Sequence, residues 1–413
     1  MSRIHTYDPR FSAIKRKQRN GKNASTMLQD NRNLILQLIR KSGSISRKQL
    51  SEESGLQLAT VTIIIKELLA QGLILEGGFV DGGNGRRVKS FSMAENLYTV
   101  VIRLTEVYYK IALFDIHIQP LYVKKVFFQT QDSIEEIMEL TKVHIKEIEK
   151  QFQKEKILCI IVGVEHMYRL MNNDYVIWDE ARQEYCLIGK KLHDHTGYNV
   201  FVNRAVNLSS YDMWDKCETD IVKKEDNYMM LVYVQLGYDL EGAIIVNHEL
   251  LYGADGLCGQ LSELKIGRDN TQAYKDVVTV PVLLKRAKEL TGEYPDSYIA
   301  QKEDLNIRDV IAGYEKNDPL CRKVYNEVAE RLGYIFSQII SWMDPDVVML
   351  MDEVPPIPEF EQVLRTEVAR YCNEEKAERV HILIGERITK NDPVLVGGAK
   401  YAFDLLIGDI GIY

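Results

Sequence analysis

A chain of 413 residues is too long for one hydrophobic core, so two or three domains are expected. Apolar content of 46% beside 27% charged residues is ordinary for a globular chain and excludes a low-complexity or fibrous polymer. The net charge of −8 hides a basic front, 16 Lys+Arg against 8 Asp+Glu in residues 1–96, and an acidic body, 36 against 52 in residues 97–413; such asymmetry points to nucleic acid for the front alone.

The amino terminus lacks the apolar stretch of a signal peptide, and residues 1–24 read as a basic leader carrying Lys15, Arg16, Lys17 and Arg19. Leu34, Ile35, Leu38 and Ile39 then recur at helical spacing and give a first helix one buried stripe, which Gly43 ends. Ser46 offers an N-cap hydroxyl to a second short helix with Leu50 inward, closing at Ser54 and Gly55. A third helix spans about residues 58–70, with Val61, Ile64, Ile65, Leu68 and Leu69 on its core side and Gly72 as its stop. A glycine-containing turn between the second and third helices is the mark of a helix-turn-helix. Residues 73–75 and 89–91 pair as two wing strands around the tip Gly82-Gly83-Asn84-Gly85-Arg86-Arg87.

Two places in this head carry the candidate DNA contacts. The exposed side of the third helix, with Gln57, Thr60, Thr62, Ile63 and Lys66, would lie in the major groove of a duplex operator. Arg86 and Arg87, with Lys89 beside them, are placed to enter the adjacent minor groove, where narrow A·T tracts concentrate negative potential. The leader would add phosphate contacts without reading sequence. The third helix holds a single cation, so base readout is expected to lean on polar and methyl contacts, with modest affinity per head and a need for a dimer.

Beyond residue 97 the pattern changes. Residues 100–115 and 119–129 are β-rich, 133–154 form a strongly charged helix, and 157–164 a buried strand that is also the longest apolar run, far short of a membrane span. Residues 200–202, 230–236 and 243–246 supply further strands, and 282–291 and 318–343 further helices. This alternation argues a parallel or mixed sheet covered on both faces. Six scattered cysteines, none in a Cys-x-x-Cys pair, suit a reducing cytoplasm, the expected compartment. His193 and His195 lie two apart on a helix and point to different sides, so no metal pair is expected there.

Residues 31–93 followed by this body resemble the ROK family, whose repressors fuse a winged helix to a sugar-kinase-like domain. The resemblance covers nearly the whole chain and is carried by residues 231–237 (Leu-Val-Tyr-Val-Gln-Leu-Gly), 242–247 (Gly-Ala-Ile-Ile-Val-Asn), 251–256 (Leu-Tyr-Gly-Ala-Asp-Gly), 343–350 (Met-Asp-Pro-Asp-Val-Val-Met-Leu) and 393–399 (Pro-Val-Leu-Val-Gly-Gly-Ala). It implies an α/β fold class: an N-terminal winged helix-turn-helix, residues 25–96, and a two-lobed actin-like, ribonuclease-H-like body, residues 97–413. Lobe one would take about 97–205 plus the C-terminal helix, and lobe two about 206–390.

The chain departs from the pattern of the family's kinases where their chemistry lies. Their Asp-x-Gly-x-Thr phosphate loop reads Arg103-Leu104-Thr105-Glu106 here, and their Gly-Thr-Gly-x-Gly loop reads Gly237-Tyr238-Asp239-Leu240-Glu241-Gly242. The catalytic Asn-Asp becomes Asn203-Arg204, and a guanidinium does not accept the proton that a general base must take. The zinc cluster of the family has no counterpart, since residues 268–279 contain neither Cys nor His. The sugar motif Glu-x-Gly-His reads Gln260-Leu261-Ser262-Glu263. These changes imply no enzyme, no cofactor and no metal.

Three readings of Arg204 and Glu263 stand open: two surface residues released from any role, an ion pair closing an empty cleft, or a rebuilt pocket in which Asn203, Arg204, Gln260 and Glu263 receive a sugar acid or sugar phosphate. The expected protein is thus a homodimeric or homotetrameric repressor of carbohydrate-use genes on duplex DNA, with no membrane partner. A sugar kinase with an appended head, and a regulator answering to a protein partner, are the alternatives.

Overall fold

The isoleucine and leucine spacing of residues 34–39 becomes one face of a helix that begins earlier than the pattern suggests, α1 (Ala24–Ser42). The computed structural model describes residues 24–81, 87–129, 132–165, 169–171, 174–179, 181–220, 229–247, 249–265, 272–385 and 392–407. Ile35, Leu36 and Ile39 are the buried positions of α1, one residue displaced from the expected stripe, with Leu38 packed at its margin. After the short strand β1 (Ile45–Ser46), α2 (Arg47–Ser54) opens on a capping box in which Ser46 and Gln49 satisfy each other's backbone N–H groups. Helix α3 (Leu58–Ala70) buries Val61, Ile64, Ile65 and Leu68. Strands β2 (Ile74–Asp81) and β3 (Arg87–Met93) pair antiparallel and extend well beyond the three residues each that the sequence suggests, with a register shift between Glu76 and Phe79. The sheet order is β1-β3-β2.

Next come β4 (Tyr98–Leu104), β5 (Tyr108–Asp115), β6 (Pro120–Phe127), α4 (Ile134–Gln151), β7 (Ile157–Val164), β8 (Arg169–Met171), β9 (Asp174–Asp179), β10 (Glu184–Leu187), α5 (Ile188–Thr196), β11 (Val200–Arg204) and α6 (Ala205–Asp220). The first three form an antiparallel meander, and β7 and β11 add in parallel, giving the order β11-β7-β4-β5-β6. One face of this sheet buries Ile102, Ile111, Val162 and Val200 with Ile137 and Ile145 of α4 and Leu192 of α5. His195 joins the two helices, its Nε2 lying 2.8 Å from Glu135 and 3.2 Å from Glu139 of α4.

A second sheet repeats the plan. It is built from β12 (Met230–Leu236), β13 (Leu240–Val246), β14 (Glu249–Leu250), β15 (Val347–Asp352) and β16 (His381–Ile384) in the order β14-β13-β12-β15-β16, again an antiparallel meander followed by two parallel strands. Between β14 and β15 run α7 (Lys275–Val278), α8 (Val280–Leu290), α9 (Ile307–Glu315) and α10 (Pro319–Met343); α11 (Pro358–Ala369) and α12 (Glu374–Arg379) precede β16. Phe336, Ile340, Val348, Leu350, Phe360 and Leu364 belong to one continuous core. Helices α10 and α11 cross at Gly333, where a Cβ would stand 2.4 Å from the Glu367 Cβ.

Contacts divide the chain into two compact units, Met1–Leu208 with Val394–Tyr413, and Ser209–Pro393. The last helix, α13 (Pro393–Ile407), thus belongs to the first unit. Val394 sits against Gly163 of β7, where a Cβ would be 2.6 Å away, and Gly398 packs on Val101 of β4. Its far end enters the head: Phe403 is buried in the same apolar cluster as Ile35, Ile39, Leu68 and Ile74, together with Leu97 and Ile116, and Asp404 is ion-paired with Arg40 of α1.

Candidate nucleic-acid interface and the altered kinase loops

Because Val61, Ile64, Ile65 and Leu68 face the head core, α3 must present its opposite arc outward. Gln57 is the N-cap residue, exposed, and makes no side-chain cap bond. Ile63 and Lys66 are exposed, whereas Thr60 and Thr62 are half-buried. The Thr62 hydroxyl donates to the Leu58 carbonyl at 2.7 Å. Leu58, which pattern reading left aside as a helix start, is itself exposed.

On the wing, Arg87 opens β3 and is exposed. Lys89 donates to Glu76 at 2.7 Å and holds that carboxyl below its usual range. Arg47 stands 3.9 Å from the same carboxylate and over the Phe91 ring, 4.7 Å from its centroid. Several cations of the basic front are therefore committed within the head. Arg86 and the basic leader lie outside the described residues.

The first altered loop lies at the carboxyl edge of the parallel strands, where open α/β sheets place their ligands. Between β4 and β5 the chain turns tightly: the Thr105 N–H donates to the Tyr108 carbonyl at 3.0 Å, and the Thr105 hydroxyl oxygen accepts the N–H groups of Val107 and Tyr108. The N–H groups of Thr105, Val107 and Tyr108 are thus engaged within the turn. Arg103 Nε binds Glu165 at 2.8 Å beside the turn. On β11, beyond β7, Asn203 and Arg204 are both 1% exposed. The Asn203 Oδ1 accepts the Arg204 N–H at 2.9 Å and the Asn207 Nδ2 at 2.8 Å, joining β11 to α6. The reading of Arg204 as a released surface residue does not hold, because a guanidinium so deeply buried has specific surroundings.

In the second unit the turn 237–240 is closed by Gly237 N–H to the Asp239 carbonyl at 2.9 Å and by the Asp239 carboxylate on Leu240 N–H at 2.8 Å, with Tyr238 76% exposed. Gln260 is half-buried and bridges to Glu241 of β13. The bridge requires glycine on both sides: a Cβ on Gly259, at φ +88°, would stand 2.4 Å from the Gly242 carbonyl oxygen. Glu263 is 58% exposed at its side chain and accepts from Lys275 at 2.6 Å. Its counter-ion is Lys275. A separation of twelve residues in sequence gave no pattern by which to find this pair.

Comparison with known proteins decides the family. Residues 99–403 match the ROK family, and residues 28–74 match a winged helix-turn-helix DNA-binding domain. The chain belongs to the ROK family. It is 22% identical over 347 residues to the xylose repressor of Caldicellulosiruptor bescii, covering 79% of this chain and 84% of that protein. It is 21% identical over 369 residues to the DNA-binding transcriptional dual regulator NagC of Escherichia coli, covering 84% and 87%. Among solved structures, a ROK family transcriptional regulator homologous to the E. coli MLC protein shares the fold with a TM-score of 0.78 at 18% identity, over 92% of this chain and 98% of that one. A ROK family glucokinase from Streptomyces griseus shares it with a TM-score of 0.57 at 16% identity, over 74% and 99%.

This ROK chain is thus a DNA-binding regulator by its head, on a body whose fold also serves kinases. The donor set for the family's zinc does not fit, for want of Cys and His in residues 268–279. Within that stretch the backbone is tied by ordinary bonds, Tyr274 N–H to the Leu264 carbonyl at 3.0 Å and Lys275 N–H to that of Ser262 at 3.1 Å. No helix among the described residues is long and apolar enough to cross a membrane.

Proposed function

We propose that this chain represses carbohydrate-use genes and that its ROK body senses a sugar derivative instead of phosphorylating one. The observation that carries this reading is the Thr105 turn, which uses for itself the backbone N–H groups that a phosphate loop must leave open. The 237–240 turn supports it, since Asp239 and Glu241 would face triphosphate with like charge. Buried Arg204, where a kinase needs a carboxylate base, removes the proton acceptor and places a permanent positive charge there. The effector is accordingly a sugar acid or sugar phosphate, met at Arg204 with Asn203 beside it. The xylose repressor and NagC, regulators by name, span four-fifths of the chain and support the assignment. Two heads on one operator require a homodimer or homotetramer.

The test combines two assays on the full-length protein. A coupled kinase assay with ATP across hexoses, pentoses and amino sugars is expected to show no turnover. Release of an operator duplex, followed by fluorescence anisotropy, is expected with sugar acids or phosphates, and to be lost in Arg204→Gln while duplex binding remains. ATP-dependent turnover, or release by neutral glucose or xylose in preference to the acids, overturns the reading.

A further inference from the structure

The outward arc of α3 is poor in groups that can read a base by hydrogen bonds. Going round the helix at about 100° per residue, Thr62, Lys66, Ala59, Ala70 and Ile63 fall within about 100° on the side away from the buried row Val61, Ile64, Ile65 and Leu68, and exposed Leu58 stands at the margin of that row, about 20° from Ile65. Leu58 is 52% and Ile63 58% exposed, high values for branched aliphatic side chains on a helix with a well-filled core of its own. Thr62 has its hydroxyl proton committed to the Leu58 carbonyl, so it offers a methyl group and no donor. Lys66 is the one cation of the helix, flanked by exposed Glu67.

We propose that α3 recognises its operator chiefly through the C5-methyl groups of thymine, with Leu58, Thr62 and Ile63 as the specificity-determining side chains. This rests on the reading of the head as a DNA-binding module. In the major groove the thymine methyl is the one apolar feature among base edges, and aliphatic side chains discriminate by contact with it. The occupant is fixed by charge as well as by fold. Residues 1–96 carry a net charge of +8 and the arc lies on the helix that a helix-turn-helix inserts into the groove, so the apolar patch meets a polyanion and not another acidic body. Gln57, exposed and without a cap bond, is able to pair with a base edge at that end of the helix. Lys66 then positions the helix on phosphate without adding sequence preference.

The experiment removes the methyl groups and nothing else. Full-length protein selects its preferred duplexes from a randomised library, and the recovered duplex is resynthesised with deoxyuridine in place of thymidine, one position at a time and then throughout. Affinity is expected to fall about fourfold per contacted methyl in each half-site, the equivalent of one buried methyl group, at one or more positions inside the footprint. Positions outside it should show no change. In Ile63→Ala or Leu58→Ala protein, both altered only at exposed side chains, the matching deoxyuridine substitution should bring little further loss. Full deoxyuridine replacement with affinity unchanged overturns methyl readout and leaves DNA binding itself standing. Recovery of no preferred duplex overturns the reading of the head and this inference with it.

Discussion

Asp404 lies 364 residues from Arg40 in sequence, yet it and Phe403 complete the head. Nothing in the head's own sequence announces this. Leu97, Ile116 and Phe403 fill a surface that residues 25–96 alone would leave apolar and wet. Phe403 contributes by burial and Asp404 by an ion pair that is only part-buried, so their removal should cost very different amounts. Phe403→Ala is expected to destabilise the first unit by about 3–4 kcal/mol, and Asp404→Ala by no more than about 1 kcal/mol. Urea titration of both variants checks the order. Equal costs would mean that the α13 contact is mainly electrostatic.

At the scale of elements, polar caps helped make α2, α4 and α10 legible in sequence, while α3 and α8 were read from apolar spacing without one. Ser46, Ser133 and Asp318 each accept a backbone N–H at the start of α2, α4 and α10, and each stood at a break in apolar periodicity. The capping box Asn306–Asp309 of α9 offered the same signal but sits in a short amphipathic segment that the pattern left unassigned, as it did α11. The early start of α1 was hidden because residues 24–30 carry little apolar spacing. The outward arc of α3 could be read because one helix supplies it. The surroundings of Gln260 and Glu263 could not, since a glycine crossing and Lys275 set them from a distance in sequence.

Contacts between helices are testable through pH. Arg286 of α8 holds Glu327 of α10 through bonds of 2.9 and 3.0 Å, and this keeps the Glu327 carboxyl below its usual range. A depressed folded-state value means that the stabilisation is fully present above the unfolded value of about 4.3 and is lost as pH falls through the folded one. Arg286→Met should therefore narrow its stability deficit against the unaltered protein on acidification from about pH 5 to pH 3. Thermal melts across that range measure it. A deficit that stays constant or widens would assign the pair no linkage.

For the molecule as a whole, two sheets of the same strand order are each served by a separate apolar core, while the head shares its core with the closing helix of the first unit. A linker-borne head would unfold by itself. Here the chain passes from β3 to β4 through buried Ala94 and Leu97, and the Lys156 ammonium lies 3.4 Å from where a Gly72 Cβ would be, at the carboxyl end of α3. That is where a cation suits the helix dipole. Head and first unit are thus expected to open together, and hydrogen exchange resolves it. Phe403→Ala should raise exchange across α1, α3, β4 and β7 in one step and leave α8, α10 and α11 protected. Gly333→Ala, which forces α10 from α11, should do the reverse. Exchange that rises in α1–α3 alone after the Phe403 change would make the head a separate folding unit, since a shared core cannot lose one side and keep the other.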